Sequence, residues 1–212
     1  MSKSDKTKSH LLPDAVKALL MAVFLISAAV VFVLYFRPLY YLDIRLMNLS
    51  EASGRDETSI RQAYDAIIRY MYVWNRGELN LGWAMSERGR IHFADCKRIF
   101  DAVQILCAAA GMLTVYNLFV SRRRHDRVWL RAAGAVSIVL PCALGIAVCL
   151  SWERLFTVFH QLLFRNDYWL FDPNTDPIIL VLPEGFFLEC AIVIGVIILA
   201  GGLLCIRASR RR

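Results

Sequence analysis

The sequence predicts an all-α membrane protein: a four-transmembrane-helix bundle with an extracytoplasmic cap formed by the loops after helices 1 and 3. Hydrophobic residues make up 58% of the 212 residues, which is more than a soluble domain usually holds. They are concentrated in four uncharged runs of about 20 residues, each long enough to span a hydrocarbon core of about 30 Å. Lysines and arginines cluster beside these runs, as is typical of the flanks of membrane spans.

The four apolar runs define the predicted spans, and the segments between them define the rest of the chain. The first run is too long for the apolar core of a cleavable signal peptide and is followed by no small-residue cleavage site, so we expect it to stay as an anchor. Pro141 lies inside the third run, where proline typically kinks a helix. The predicted spans are residues 16–37, 99–120, 129–150 and 185–206, and the predicted flanking segments are residues 1–15, 38–98, 121–128, 151–184 and 207–212.

The distribution of basic residues predicts the side on which each segment lies. Three segments that must share one side are rich in lysine and arginine, whereas segment 151–184 holds more acidic than basic residues. Under the positive-inside rule, both ends of the chain and the short connection 121–128 are cytoplasmic, and the other two segments are extracytoplasmic. The basic residues behind this assignment are Lys3, Lys6, Lys8, Arg122, Arg123, Arg124, Arg127, Arg207, Arg210, Arg211 and Arg212.

The longer extracytoplasmic segment shows helical periodicity in two places. Apolar residues recur at helical spacing over residues 60–71, and Thr58 or Ser59 is placed to cap that helix, with Gln62 as a capping-box partner of Ser59. A second, amphipathic stretch over residues 87–98 is expected to continue into the second span. We expect the two outer segments to pack together as one cap.

Several classes of function find no support in the sequence. The net charge of +7 does not indicate a nucleic-acid partner, because the basic residues flank apolar runs and no recognition motif accompanies them. The six cysteines form no Cys-x-x-Cys pair, and those inside apolar runs behave as small hydrophobes. HExxH, Gly-x-Ser-Gly and Gly-x-Ser-x-Gly motifs are absent. We therefore expect no nucleic acid, no metal ion and no cofactor, and chemistry without a covalent nucleophile.

Two of the four histidines lie where chemistry at the outer membrane surface is expected. His10 and His125 belong to basic segments on the cytoplasmic side. His92 precedes the second span and, in a helix, shares a face with Asp95 three residues later. A carboxylate in that position fixes the tautomer of an imidazole and raises its basicity, as a general base needs. The alternative is an ordinary surface pair at the membrane interface.

His160 opens the segment that is densest in acidic and aromatic residues. Asp167 follows it by seven residues and Asp172 by twelve, and two Asp-Pro pairs predict turns that fold the segment back. An interfacial loop with an aromatic belt is the alternative. That alternative explains the aromatic residues, but it explains the histidine, Asn166 and the acidic residues less well. The two outer histidines are therefore the best candidates for acid–base chemistry.

Three stretches of the outer segments carry a recognisable pattern. They comprise Met85-Ser86-Glu87, Gly89, His92-Phe93, Asp95 and Lys97; Phe159-His160, Phe164, Asn166-Asp167, Trp169 to Pro173 and Asp176-Pro177; and Leu182-Pro183-Glu184 with Phe186-Phe187. Together with the four-span layout, this pattern resembles the lipoprotein intramolecular transacylase family of small bacterial integral membrane proteins. Cys96 stands where the family pattern has valine.

The resemblance implies an enzyme, a membrane acyltransferase that works at the outer leaflet of the bacterial cell (cytoplasmic) membrane, among membrane lipids. Its substrate would be a diacylated lipoprotein whose N-terminal cysteine carries a diacylglyceryl thioether. The sn-2 acyl chain would move to the α-amino group of the same cysteine, giving the lyso-form lipoprotein. Donor and acceptor belong to one molecule, so holding them together would supply a large part of the catalysis.

For this reaction we expect His160 to be the principal base and His92 its partner or the acid. Carboxylates would orient the imidazoles, and the Asn166 amide or backbone amides would support the oxyanion. The expected catalytic residues are His160, His92, Asp95, Asp167 and Asp172, and the expected substrate-binding residues are Asn166, Trp169, Glu184 and Lys97.

Two other classes of function stay open at this point. A non-enzymatic sensor or assembly partner would use its acidic–aromatic outer cap as a binding surface, and it would tolerate replacement of His92 and His160 but not of surface aromatic residues. A transporter needs ionisable residues deep within several spans, and the spans here are almost uncharged at their centres. The oligomeric state is not determined by these patterns.

Overall fold

The computed structural model describes residues 12–124 and 127–210, and within these ranges it contains helices and no β-strand. The predictions made for seven residues lie outside the described residues. These residues are His10, His125, Lys3, Lys6, Lys8, Arg211 and Arg212. The α-helices are α1 (Asp14–Tyr35), α2 (Arg37–Leu46), α3 (Leu49–Ser53), α4 (Glu57–Tyr70), α5 (Glu87–Arg124), α6 (Trp129–Leu150), α7 (Trp152–Leu163) and α8 (Glu184–Ser209), and a short 3-10 helix covers Pro177–Val181.

Four helices, α1, α5, α6 and α8, are long and apolar enough to cross a membrane. The 38-residue α5 runs without a break from the amphipathic stretch at residues 87–98 into the second apolar run. Helix α1 packs against α5, α6 and α8, and α6 packs against α8, so the four long helices form one bundle. The all-α, four-span fold class predicted from the sequence is therefore confirmed.

The tightest approach in the bundle lies between α6 and α8. A Cβ atom added to Gly134 would lie 2.5 Å from the carbonyl oxygen of Gly202, and one added to Gly202 would lie 2.9 Å from Cγ1 of Ile138. In a lipid environment helix association depends on close van der Waals packing, which small residues allow. The two glycines therefore allow α6 and α8 to approach each other at a distance that any larger side chain at these positions would prevent.

The segments that connect α1 to α5 and α6 to α8 share an apolar core at one end of the bundle. Tyr40 of α2 stacks on Tyr64 of α4, with 3.8 Å between their ring centroids. The Tyr40 hydroxyl donates a hydrogen bond of 2.7 Å to the carbonyl oxygen of Val181, which follows α7 in the chain. We call these two connecting segments, residues 36–86 and 151–183, the cap layer.

Helix α4 begins earlier than the capping pattern predicts. Its N-cap is Asp56, whose carboxylate accepts a hydrogen bond of 2.9 Å from the backbone nitrogen of Ser59, so the assignment of Thr58 or Ser59 as the cap is wrong. Aspartate caps helices as well as serine does. The earlier start also puts Glu57 at the positive end of the helix dipole and one turn before Arg61, with which it forms an ion pair of 2.6 Å.

Candidate functional site

The two outer histidines meet where the start of α5 contacts the end of α7. His92 lies in the second turn of α5 and is 7% exposed, whereas His160 lies in the last turn of α7 and is half-buried. Their ring centroids are 6.2 Å apart, and the ring planes are inclined by 32°. The fold therefore brings together two imidazoles that lie far apart in the sequence.

Aromatic side chains surround both imidazoles. Phe164 contacts both, with its ring centroid 4.7 Å from that of His92 and 5.7 Å from that of His160. The other walls are Phe171, 5.4 Å from His92, and Phe156 and Trp169, 4.2 Å and 4.7 Å from His160. We call Phe156, Phe164, Trp169 and Phe171 the aromatic enclosure. Within it His92 is almost completely buried and His160 is half-buried.

The ring nitrogens of the two histidines have different partners. Nδ1 of His160 lies 2.8 Å from the carbonyl oxygen of Phe156. A carbonyl oxygen only accepts hydrogen bonds, so neutral His160 carries its proton on Nδ1 and its lone pair on Nε2. Nε2 of His92 lies 3.4 Å from Sγ of Cys96, and its Nδ1 is buried with no hydrogen-bond partner among the described residues.

Burial lowers the pKa of His160 below its ordinary value of 6.5. Two smaller contributions raise the pKa: the hydrogen bond to the Phe156 carbonyl and the negative charge of Glu184, the first residue of α8. His160 is therefore uncharged at neutral pH, as a general base must be. Glu184, which the sequence pattern placed at the site, lies close enough to act on His160 electrostatically.

Asp95 lies one turn after His92, but the described chain shows no hydrogen bond between the two side chains. Oδ1 of Asp95 forms an ion pair of 2.8 Å with Arg98, and Oδ2 accepts a hydrogen bond of 3.3 Å from Nδ2 of Asn166. The Asp95–Asn166 contact connects α5 to the segment that follows α7. Asp95 and Asn166, both predicted for the site, therefore contact each other, and among the described residues neither forms a hydrogen bond with an imidazole.

Asp167 and Asp172 have partners other than the imidazoles. Asp167 forms a solvent-exposed ion pair of 3.1 Å with Arg88, a kind of contact that contributes little to stability. Asp172 is exposed, and its Oδ1 accepts hydrogen bonds of 2.9 Å from the backbone and side-chain nitrogens of Asn174. This is the local turn that an Asp-Pro sequence favours. Within the described chain neither carboxylate forms a hydrogen bond to His92 or His160.

Lys97 also has its partners elsewhere. It follows His92 by five residues, which places it about 140° round the helix from that imidazole. Its buried ammonium group donates hydrogen bonds of 3.0 Å to the Asp101 carboxylate and to the carbonyl oxygen of Tyr72. Lys97 therefore connects α5 to the segment after α4, on a different face of α5 from His92.

An open cleft lies beside His160. Its volume is about 580 Å³, and its walls include Phe164 and Trp169 of the aromatic enclosure together with Asn166 and Leu170. Two of the predicted substrate-binding residues, Asn166 and Trp169, therefore border the approach to the imidazoles.

Gly89 and Asp176 hold the segment after α7 against the start of α5. Asp176 is 2% exposed and accepts a hydrogen bond of 2.7 Å from the backbone nitrogen of Ser86. A Cβ atom added to Gly89 would overlap Oδ1 of Asp176 and lie 3.1 Å from Cε1 of Phe171. The absence of a side chain at Gly89 thus allows the contact that places Phe171 against His92.

The sequence predicts no role at the site for Phe156, Gly89 or Asp176. Among the aromatic residues after His160 it predicts a substrate contact only for Trp169, with a membrane belt as the alternative explanation of these residues. One signal for the aromatic enclosure was present. Phe156, His160 and Phe164 recur at intervals of four residues, which places three rings on one side of a helix. The Gly89–Asp176 contact had no such signal, because it joins two segments that are distant in the sequence.

The fold and the site define an integral membrane protein with a candidate acid–base centre at one end of a four-helix bundle. The family described as lipoprotein intramolecular transacylase Lit matches residues 15–187. The chain belongs to the lipoprotein intramolecular transacylase family and is therefore a membrane enzyme of the acyltransferase class, which confirms the resemblance found in the sequence. No curated protein matches the chain.

Three solved structures of one relative are similar to the chain. The membrane integral lipoprotein intramolecular transacylase Lit from Bacillus cereus superimposes with a TM-score of 0.90 at 35% sequence identity, over 93% of this chain and 92% of that chain. Two variants of that protein, with a histidine replaced by arginine or by alanine, give TM-scores of 0.82 and 0.83 at 34% identity, over 93% of this chain and 90% of theirs. The similarity therefore covers the bundle and the cap layer together.

Proposed function

We propose that the chain moves the sn-2 acyl chain of a diacylated lipoprotein from its ester oxygen to the α-amino group of the same N-terminal cysteine, giving the lyso-form lipoprotein. Family membership supports a lipoprotein substrate, since the similar solved protein is named a lipoprotein intramolecular transacylase. The observation that carries the mechanism is the pair of imidazoles, 6.2 Å apart within the aromatic enclosure.

His160 is the general base of this proposal. Its Nδ1 is held by the Phe156 carbonyl, so the lone pair on Nε2 is free to take a proton from the attacking amine. The lowered pKa of His160 keeps that lone pair available at neutral pH. General acid–base catalysis of this kind contributes typically about 10²–10⁴-fold to a rate.

His92 is the partner of His160 and acts as a neutral hydrogen-bond donor to the leaving group, because burial, and then the charge of His160, lower the pKa of His92 to about 4. When the Cys96 thiol donates to Nε2 of His92, the proton of the imidazole lies on Nδ1, which has no hydrogen-bond partner in the described chain. That Nδ1–H donates to the departing glyceryl oxygen. Because Nδ1 is buried, the ester must displace the ring of Phe164 or Phe171 to reach it.

The proton transfers balance over one turnover. The C–N bond of the new amide forms and the C–O bond of the sn-2 ester breaks, while the amine loses one proton to His160. The departing glyceryl oxygen receives that proton from the His160 imidazolium while it accepts a hydrogen bond from Nδ1–H of His92, so both imidazoles are neutral again at the end of the turnover. The aromatic enclosure limits water near the ester, which favours transfer to the amine over hydrolysis.

Asn166, or backbone amides near it, would donate to the oxyanion, and Trp169 and Glu184 would contact the substrate. Asn166 and Trp169 line the cleft beside His160, and the charge of Glu184 acts on His160. The amine and the ester belong to one molecule, so the cleft needs only to hold them in contact. Asp95 acts by holding Asn166 rather than by orienting His92.

The positive-inside rule supports a location for this site at the outer leaflet of the bacterial cytoplasmic membrane, with both chain ends in the cytoplasm. Arg127, Arg207 and Arg210 lie at the end of the bundle opposite the cap layer. The histidines lie at the end where α1 finishes and α8 begins. An exported lipoprotein that is anchored by its acyl chains would present its ester at that level.

Replacement of His160 by asparagine tests the proposal. His160→Asn should reduce N-acylation of a model lipoprotein at least about 100-fold while the protein stays folded, because asparagine keeps a donor for the Phe156 carbonyl but cannot act as a base. Mass spectrometry of the N-terminal peptide separates the products, since acyl migration changes the fragment ions but not the total mass. Glu153→Gln, an exposed change on the same helix, is the matched control. Wild-type amounts of lyso-form product from His160→Asn would exclude the role of His160.

A further inference from the structure

Asp43 of α2 is the most completely buried charged side chain in the described part of the protein. It is 0% exposed, and neither of its carboxylate oxygens receives a hydrogen bond from the described residues. Asp176, by contrast, is buried with two donors, the backbone nitrogen of Ser86 and the hydroxyl of Thr175. A buried carboxylate without a donor or a cation is very costly, so the environment of Asp43 requires an explanation.

The group that Asp43 does meet is a second carboxyl. Glu189, in the second turn of α8, lies within side-chain hydrogen-bonding reach of Asp43. Tyr40 and Cys190 also face the pair, but both are uncharged at neutral pH and the Tyr40 hydroxyl proton is already donated to the Val181 carbonyl. Within the described chain the only charge that acts on Asp43 is therefore that of Glu189.

We infer that Asp43 and Glu189 form a proton-binding site, in which one shared proton makes an acid–carboxylate hydrogen bond between α2 of the cap layer and α8. With one proton, the pair has a donor, an acceptor and a single negative charge. With none, two negative charges would lie in contact with no cation beside them, which like-charged carboxyl pairs avoid by keeping a proton. The proton thus takes the place that a lysine or arginine takes in an ordinary ion pair.

The raised pKa of Asp43 agrees with a shared proton. Burial, and then the Glu189 carboxyl, raise the pKa of Asp43 from 3.8 to about 6. The folded state holds more protons than the unfolded state between these two values, so the free energy of unfolding that the pair contributes decreases as the pH rises from about 4 to about 6. Above that range the contribution stays constant.

The site lies apart from the proposed reaction, and its role does not depend on the roles of the two histidines. Its place in the fold gives it a structural consequence. Helix α8 begins at Glu184, beside His160, and the Asp43–Glu189 bond joins the next turn of α8 to α2. Loss of the shared proton would weaken the attachment of the cap layer to α8 at the point where α8 approaches the imidazoles.

Thermal unfolding of the full chain in lipid nanodiscs, measured from pH 4.5 to pH 7.5, tests the inference. The wild-type midpoint should fall by about 5 °C across this range relative to Asp43→Asn, at about 2–4 °C per kcal/mol for a chain of this size. At pH 7.5 Asp43→Asn should be at least as stable as the wild type, because its amide donates permanently to the Glu189 carboxylate. Glu51→Gln, an exposed change on α3, should follow the wild-type curve.

Two outcomes would overturn the inference. Asp43→Asn with the full wild-type pH dependence would show that the pair does not bind the titrating proton, and an equal loss of stability at every pH would show a packing role only. Glu189→Gln supplies the second variant if Asp43→Asn does not fold. It removes the second carboxyl and leaves burial as the remaining cause of the raised pKa of Asp43, so its curve should lie between those of the wild type and Asp43→Asn, and a curve identical to the wild type would contradict a shared proton. Infrared spectra at pH 5.5 should show a protonated-carboxyl C=O band in the wild type that is weaker or shifted in Glu189→Gln; an unchanged band would also contradict a shared proton.

Discussion

His92 and His160 share one aromatic enclosure, but the chain supports them in different ways. His92 belongs to the 38-residue α5 and is 7% exposed. His160 belongs to the 12-residue α7, in which no residue is buried. The proton of His160 is placed by a carbonyl oxygen one turn earlier on the same helix, whereas His92 has a thiol at one nitrogen and no hydrogen-bond partner in the described chain at the other.

This difference shows which structural feature the role of each histidine depends on. A base needs a lone pair that is accessible and already oriented, and a local hydrogen bond within α7 supplies that orientation for His160. A hydrogen-bond donor to the leaving group needs an N–H with no competing acceptor, and burial among Phe164, Phe171 and Cys96 supplies that condition for His92. The two roles are therefore separable by experiments that change one requirement at a time.

The largest expected effect comes from removing each imidazole and changing the leaving group. His92→Ala and His160→Ala should each lower the transacylation rate about 10²–10⁴-fold with the natural ester. With an analogue that carries sulfur in place of the sn-2 oxygen, the thiolate leaves without protonation, so His92→Ala should recover most of the lost rate and His160→Ala should not. Rates of N-acyl product formation, followed by mass spectrometry, give the comparison.

The reverse pattern, recovery in His160→Ala alone, would exchange the roles of the two histidines as base and as donor to the leaving group. Equal recovery in both variants would mean that neither histidine is specific to the leaving group. Circular dichroism and thermal unfolding of both variants in detergent show whether the bundle is intact. The wild-type enzyme with both substrates is the control for the intrinsic reactivity of the thioester.

A smaller effect is expected at the contact that places Phe171 against His92. In Gly89→Ala the added methyl group would overlap Asp176 and crowd Phe171, and overpacking of this kind costs about 1–3 kcal/mol. The midpoint of thermal unfolding should fall by several degrees, and kcat should fall with it because the enclosure around His92 is displaced. Gly145→Ala is the matched control, since Gly145 has open space around its Cβ position. A fully active, fully stable Gly89→Ala would show that this contact does not support the site.

The smallest effect concerns the charge beside His160. Glu184 raises the pKa of His160, against the larger lowering by burial, so Glu184→Gln should lower that pKa further. Since the base must be neutral, activity falls as the pH drops through the pKa of His160, and the acidic limb of kcat/KM should move to lower pH. Rates at pH 7 and above should not change through this effect. A shift of the limb to higher pH would contradict the electrostatic role of Glu184.

Much of this protein follows from local patterns. Four apolar runs with basic flanks predict the four-span bundle, because a run of about 20 apolar residues in a helix matches the thickness of the bilayer whatever the rest of the chain does. The periodicity over residues 60–71 and 87–98 predicts α4 and the start of α5 for a similar reason. The motifs around His92 and His160 point to the family, because each motif holds its chemically active residues at short spacings within one stretch of the sequence.

Other features depend on contacts between distant segments. Lys97 lies in the motif with His92, but the helix turns it toward Asp101 and Tyr72, and Asp172 closes its own turn with Asn174. The aromatic enclosure and the pairing of Asp43 with Glu189 exist because α2, α5, α7 and α8 converge at one end of the bundle, whereas the hydrogen bond that places the proton on Nδ1 of His160 lies within one helix. Sequence spacing determines which residues share a helix face, but the distance between two faces is decided only when the helices pack. The approach of His92 to His160 and of Asp43 to Glu189 follows from that packing.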